Sequence, residues 1–320
     1  MKTALTELLG IRTPILGGTM MDLSKAPFVA AISEAGALGI IASAIYKDYD
    51  QFRDDLKRTK DLTDQPFAVN INLFPMMEKL DNNVYLEIMA EQGVRIVETS
   101  GYAPPEELLG KFQQYGFKWL HKCVGVRYAQ KAAKLGADAV TVVGYENGGA
   151  TGNLNVTTLV LTPSTVDALD VPVVAGGGVV DGRTLAAVLV LGAAGAIVGT
   201  RLLLSEECPV HDHLKQALVE ADELSTDVIM RSVGFAHRCW MNSRAKEAQR
   251  IENEGGGIAE LYPHVAGDAA RKMYETGDLD AGTISIGQGV GLIKEVKPLK
   301  VIIEEMVAEA ERLVGTLPGQ

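Results

Sequence analysis

VPVVAGGGVVDGRTLAAVLVLGAAGAIVGTRLLL, residues 171–204, reads as strand, glycine turn, helix, strand and a second glycine turn. Two β-branched runs, at 171–174 and 196–198, flank an Ala/Leu-rich segment of helical length. Each strand ends in residues too small to block the space above it: Gly176, Gly177 and Gly178 close the first, Gly199 and Thr200 the second. Backbone amides are thereby left bare at the start of each following segment, and such amides together with a helix dipole favour a phosphate. Two of these turns at the carboxyl ends of adjacent parallel strands match the phosphate cradle shared by the last two strands of many (β/α)8 barrels. Plain βα turns also use glycine, but a turn alone rarely needs three in a row followed by another one βα unit later.

Upstream of this stretch the same alternation recurs. Short apolar runs at 13–16, 38–43, 67–72, 94–98, 118–123 and 139–143 read as strands. Between them lie helical segments at 26–34, 49–59, 82–92, 106–115 and 129–135, with Gly36, Gly93, Gly116 and Gly136 near helix ends, where glycine adopts the left-handed cap. Together with the 171–204 pair this makes eight strands, which predicts an α/β fold, a closed (β/α)8 TIM barrel with its site at the strand carboxyl ends. After residue 204 the repeat is lost. A polar helix is expected at 205–225, irregular or helical lid material at 226–243, a flexible joint at Gly255, Gly256 and Gly257, and an amphipathic helix at 299–314. The expected division is a barrel of residues 1–222 and 281–320 with a small, mostly helical lobe, 223–280, inserted near the C-terminus.

Composition bounds the function. A chain of 320 residues fits one barrel with an appended lobe, and a net charge of −11 with scattered basic residues argues against a nucleic-acid surface. Cys123, Cys208 and Cys239 are too widely spaced for a disulfide framework or a zinc pattern, and no export signal or run of about 18 apolar residues is apparent. A cytoplasmic enzyme without a membrane span, acting on a small molecule, is the expectation; monomer and homodimer both stay open.

Several residues are candidates for chemistry. Asn70 and Asn72 are two apart on one strand and point to one side, either as turn formers or with Asn70 as an amide aimed at a heterocycle. The apolar loop Leu73, Phe74, Pro75, Met76, Met77 suits the wall of an apolar ligand site. Lys122 ends the fifth strand as a cation for charge stabilisation or as a solvated strand-end lysine, and Cys123 beside it fits a small core residue. The glycine-rich turn 144–152 offers amides from Gly148 and Gly149 to the same phosphate, with Tyr145 and Ala150 facing substrate, while Glu146 suits a turn cap. His211 and His213 fit a helix start better than a metal site, so no metal is expected. Arg231, Arg238 and Arg244 suit either an anionic ligand or a solvated face.

Eight ordered motifs carry a resemblance that spans nearly the whole chain: ILGGTMM, FAVNINLFP, HKC, GYENGGATG, VVAGGGVVDGR, IVGTRLLLSEECPVH, TDVIMRS and GDLDAGTISIGQGVGLI. With these the chain resembles the nitronate monooxygenase (2-nitropropane dioxygenase) superfamily of flavin-dependent barrels, and its strand-three loop, GTRLLLSEECPVH and TDVIMRS blocks are most similar to the NADH:quinone reductase branch. The resemblance implies noncovalent FMN at the barrel mouth, with Gly17, Gly18, Thr19 and Met20 along the ring and Asn70 and Lys122 at its polar edge. It also implies Gly148, Gly149, Gly177, Gly178, Gly199 and Thr200 at the phosphate, with Gln288 nearby. Family members often carry a histidine in the turn after strand six, where this chain has Ala150. A methyl group cannot take a proton from a nitroalkane. The activity expected first is therefore NAD(P)H-driven reduction of a quinone or another conjugated acceptor, by hydride transfer through flavin N5. Nitronate monooxygenation and enoyl-thioester reduction are the alternatives, and a flavoprotein without turnover is a further one.

Overall fold

The computed structural model describes residues 1–46, 48–73, 81–101, 103–265 and 267–316. In chain order the strands are β1 Ile15–Gly17, β2 Gly39–Ala42, β3 Phe67–Asn72, β4 Ile96–Ser100, β5 Lys118–Cys123, β6 Ala139–Val143, β7 Gly149–Ala150, β8 Val173–Gly176, β9 Gly195–Val198, β10 Thr226–Ile229 and β11 His237–Trp240. Eight of them form one parallel sheet in the order β1-β9-β8-β6-β5-β4-β3-β2. The ring closes where Gly17 N donates to Leu38 O at 2.8 Å and Leu38 N to Ile15 O at 2.9 Å. The chain is thus the eight-stranded α/β barrel that its alternating strands and helices predict.

Period-two alternation decides what the barrel holds. Along β3, β4 and β5 one face runs from apolar to polar toward the carboxyl end. Ala68 gives way to Asn70, Ile96 to Glu98 and Ser100, and Leu120 to Lys122. Ala68, Ile96 and Leu120 join Leu16, Leu38, Ile40, Val174 and Ile197 in one buried cluster that also includes Leu5 and Leu9. Those two leucines come from the N-terminal helix Ala4–Leu9, whose N-cap Thr3 and C-cap Gly10 fix both ends. A Cβ on Gly195 would lie 2.4 Å from the Leu5 side chain, so this helix packs directly against the barrel strand. Removing the Leu5 side chain to Ala should cost about 2–5 kcal/mol. Outside the ring a second layer of apolar contacts joins the helices to the strands, as where Phe52, Leu56 and Tyr85 meet Val69 and Ile71.

Two expectations are corrected. The fourth strand lies two residues later than its apolar run suggests, at Ile96–Ser100, so Glu98 sits within the strand rather than at its end. Residues 226–243 are irregular only in part: β10 and β11 form an antiparallel hairpin around the turn 230–236, and β11 pairs in turn with β7 in the turn after β6. These strands are only four residues long, and their third partner lies far upstream, so local pattern alone could not reveal them. The rest of this region is helical (Ser243–Asn253, Ile258–Val265, Gly267–Thr276), with a small cluster of its own from Ile229, Cys239, Ala245, Ala248 and Leu261. Among the described residues no helix is long and apolar enough to cross a membrane.

Candidate active site

A cavity of about 300 Å³ opens at the carboxyl ends of the strands. The polar inward residues of β3 to β5 meet there in one network. Glu98 is fully buried, and its Oε2 accepts from Lys122 Nζ (2.9 Å), Asn70 Nδ2 (2.5 Å) and Thr19 Oγ1 (3.0 Å). Asn70 Nδ2 also reaches Ser100 Oγ at 3.2 Å. A buried carboxylate is costly unless a counter-charge and hydrogen bonds compensate it, and here one oxygen has all three donors. Glu98 Oε1 is buried without a hydrogen-bond partner among the described residues, so an acceptor stands unused beside Asn70 and Lys122. Asn70, Lys122 and Thr19 themselves line the cavity.

The glycine turns supply a second wall. Gly177 and Gly178 have φ of +95° and +75°, a region that side chains disfavour. Thr158 Oγ1 lies within hydrogen-bond reach of the Gly177 carbonyl (2.8 Å) and the Gly176 carbonyl (3.0 Å), to one of which at a time its single proton is donated. Glu146 anchors Thr158 in turn, accepting from its backbone N at 2.9 Å, with the hydroxyl 3.0 Å from the same oxygen as an alternative donor. Gly199 is different, because its φ is outside the left-handed region and a Cβ there would meet nothing within 4 Å. The protein's own packing therefore does not demand glycine at 199, and the residue lines the cavity. Thr200 Oγ1 accepts from Gly287 N at 3.0 Å, and Gly148 packs closely on Gly287, which draws the 284–288 segment onto the same wall. Backbone without side chains, next to a cation and an orphaned acceptor, fits an anionic tail joined to a planar polar ring.

Most of the candidate residues converge on this space: Gly18, Thr19, Met20, Asn70, Lys122, Gly148, Gly149, Ala150, Gly177, Gly178, Gly199 and Thr200 all line it. Three others stand apart from the lining. Gly17 faces the outer layer, where a Cβ would come 3.1 Å from Ile32. Tyr145 packs beneath arginines, with the Arg238 guanidinium 4.5 Å and that of Arg231 5.7 Å from its ring centre. Gln288 engages through its backbone, donating from N to Glu146 O at 3.0 Å. Phe74, Pro75 and Met76 lie outside the described residues.

Of the arginines, Arg238 is buried, donating from Nε to Tyr145 O (3.1 Å) and from Nη1 to Thr226 Oγ1 (3.1 Å), while Arg244 Nε reaches Asp280 O at 3.1 Å. His211 caps the helix Asp212–Val219 and His213 Nδ1 lies 2.9 Å from Gly277 O, a helix start as expected. Burial pushes the Cys123 thiol up to about 12, which keeps it protonated and non-nucleophilic near pH 7.

Two residues escape sequence reading. Glu98 organises the polar floor, and the signal for it was a carboxylate inside an otherwise buried strand, IVETS. His237 lines the cavity from β11, its Nε2 2.9 Å from Ser285 Oγ. The ring is half-buried at the cavity wall, and desolvation by the surrounding protein lowers its imidazole below the usual value, so the neutral form dominates near pH 7. No local signal pointed to it, since its place depends on the pairing of β11 with β7.

A closed parallel barrel with a ligand-sized cavity at its strand ends has the architecture of a barrel enzyme, whose chemistry takes place at that face. A family model described as nitronate monooxygenase matches residues 2–309, and the chain belongs to this family of flavin-dependent oxidoreductases. It is 32% identical to a Rhodococcus jostii (strain RHA1) protein named (3aS,4S,5R,7aS)-5-hydroxy-7a-methyl-1-oxo-octahydro-1H-indene-4-carboxyl-CoA dehydrogenase, over 99% of this chain and 98% of that one. Among solved structures, FabK from Thermotoga maritima matches with a TM-score of 0.91 at 33% identity, covering 100% of this chain and 99% of that one. Nitroalkane oxidase from Streptomyces ansochromogenes matches with a TM-score of 0.84 at 25% identity, over 98% and 100% of the two chains.

Proposed function

We propose that this chain is an FMN-dependent reductase that accepts hydride from NAD(P)H and passes the electron pair to a conjugated acceptor, such as a quinone or an unsaturated acyl thioester. The observation that carries the reading is the Lys122 ammonium, fixed by buried Glu98 yet still facing the cavity. FMN, when bound, would supply storage for the electron pair. Gly177, Gly178, Gly199 and Thr200, with Gly148 and Gly149, would hold its phosphate, and Asn70 and Lys122 its pyrimidine edge. Gly18, Thr19 and Met20 would lie along the ring. Lys122 then sets a positive charge where negative charge accumulates on reduction, and the Glu98 network keeps that charge in place without reorganisation. Ala150 leaves the strand-six turn itself without a base, and hydride-driven reduction needs none there.

The Rhodococcus relative's name, a carboxyl-CoA dehydrogenase, favours a CoA thioester as the substrate class, with the redox direction there running from thioester to flavin. Nitronate oxidation is the second reading, favoured by the family's description and by the likeness to nitroalkane oxidase. We take the lobe of 223–280 as the substrate-facing part, on the ground that His237 from it lines the cavity, and place the enzyme in a reducing cytoplasm on its cysteine spacing. Anaerobic mixing of the yellow protein with NADH, NADPH and an alkyl nitronate in turn tests the choice. Bleaching by a pyridine nucleotide is expected; bleaching by nitronate alone would replace this reading with the second.

A further inference from the structure

His237 has no part in the glycine cradle or in the Lys122 network, yet its ring lines the same cavity. On β11 it is the Cα partner of Ala150 on β7, so an imidazole and a methyl group form one cross-strand pair at the cavity wall. Ser285 Oγ, 2.9 Å from Nε2, fixes the ring. The ring edge reaches the cavity beside Gly149, which has no side chain to cover it; a Cβ there would already be in van der Waals contact with Ser285 Oγ (3.7 Å) and the imidazole Cε1 (3.9 Å). Its registered neighbours Ile229 and Ala150 are uncharged. Glu146 and Lys122 line the cavity too, but the first is engaged by Thr158 and the second by Glu98. The ring is a neutral imidazole near pH 7, and in the tautomer whose Nε2–H donates to Ser285 Oγ its Nδ1 lone pair is left to accept a proton.

We propose that His237, oriented by Ser285, is the proton-transfer residue of this site, exchanging a proton with the substrate carbon that adjoins a nitro group or a thioester carbonyl. The proposal rests on reading the cavity as the redox site. In one direction the substrate C–H bond breaks, an N–H bond forms on the imidazole, and the electron pair stays on the substrate as nitronate or enolate. In the other direction the same proton returns to carbon, and neither direction consumes an oxidant or reductant. The strand-six turn contributes only a methyl group at this wall, and the hairpin delivers the base from a distant part of the chain.

The test is α-proton exchange in D2O by the oxidised holoenzyme, with nitroethane and butanoyl-CoA as probes and no electron donor, followed by proton NMR. Wild-type protein should exchange at least one probe above the buffer rate. His237→Ala should lower that rate about 10²-fold or more, and His237→Gln, which keeps a hydrogen-bonding partner for Ser285, should behave the same way if it melts at the wild-type temperature. Ring signals of His237, assigned by their loss in His237→Gln, should shift when the exchanged probe is added. Exchange at the wild-type rate in the folded variants, absence of exchange by the wild type on both probes, or no shift of the ring signals would each overturn the proposal. Exchange that persists in a protein whose flavin no pyridine nucleotide bleaches would overturn the reductase reading alone.

Discussion

Lys122 Nζ lies 2.9 Å from Glu98 Oε2 across adjacent strands, with the carboxylate fully buried and the ammonium facing the cavity. The pair is asymmetric in its dependence. Glu98 has no solvent to fall back on, whereas Lys122 can reach the cavity, so removing the lysine is the more damaging single change.

Lys122→Met should destabilise the apoprotein by about 3 kcal/mol, because it leaves a buried charge without its counter-ion. Glu98→Gln should cost about 1–3 kcal/mol, since the amide retains the shape and part of the hydrogen bonding. In the double variant the two losses should not add, and part of the stability should return. Urea unfolding of the four proteins measures this; strict additivity would show that the pair does not act as a unit.

Gly199→Ala separates folding from ligand binding. The new Cβ meets nothing within 4 Å, so the apoprotein should unfold within about 0.5 kcal/mol of the wild type. Flavin affinity should nevertheless fall by about tenfold or more, the equivalent of about 1.4 kcal/mol. Fluorescence titration of the apoprotein with FMN checks this, and unchanged affinity would remove Gly199 from the cradle.

Acid should weaken the fold through His121. This imidazole is buried on the strand face opposite Lys122, with Nδ1 2.8 Å from Thr99 Oγ1, and burial, aided by the neighbouring lysine, lowers it to about 4. The unfolded chain takes up this proton near pH 6.5, so stability is complete above that value and falls as pH drops from 6.5 toward 4. The loss should approach about 3 kcal/mol over that window. In His121→Phe the fall should be shallower by this amount. Parallel slopes in thermal melts at pH 7, 6, 5 and 4.5 would show that the ring does not titrate in this way.

The barrel is legible in the sequence because each strand is a short apolar run between helices that end at glycine, and nothing distant is needed to recognise one. The glycine turns and Lys122 that line the cavity are legible for the same reason, since they sit at the ends of those runs. Glu98 is harder to read. Its strand reaches two residues beyond the apolar run, so a residue at the heart of the network reads as the strand's polar end. His237 requires knowledge of a pairing between a four-residue strand and a two-residue strand far upstream, and only the folded chain brings Ala150 opposite it.

The central claim, that the lysine held by Glu98 stabilises charge on the reduced flavin, is tested most directly by the flavin midpoint potential of the wild type and of Lys122→Met, measured by anaerobic dye-linked titration at pH 7. The account predicts that the variant, once loaded with FMN, is harder to reduce by roughly 30 mV or more, the two-electron equivalent of about 1.4 kcal/mol. An unchanged potential in a fully loaded variant would contradict it.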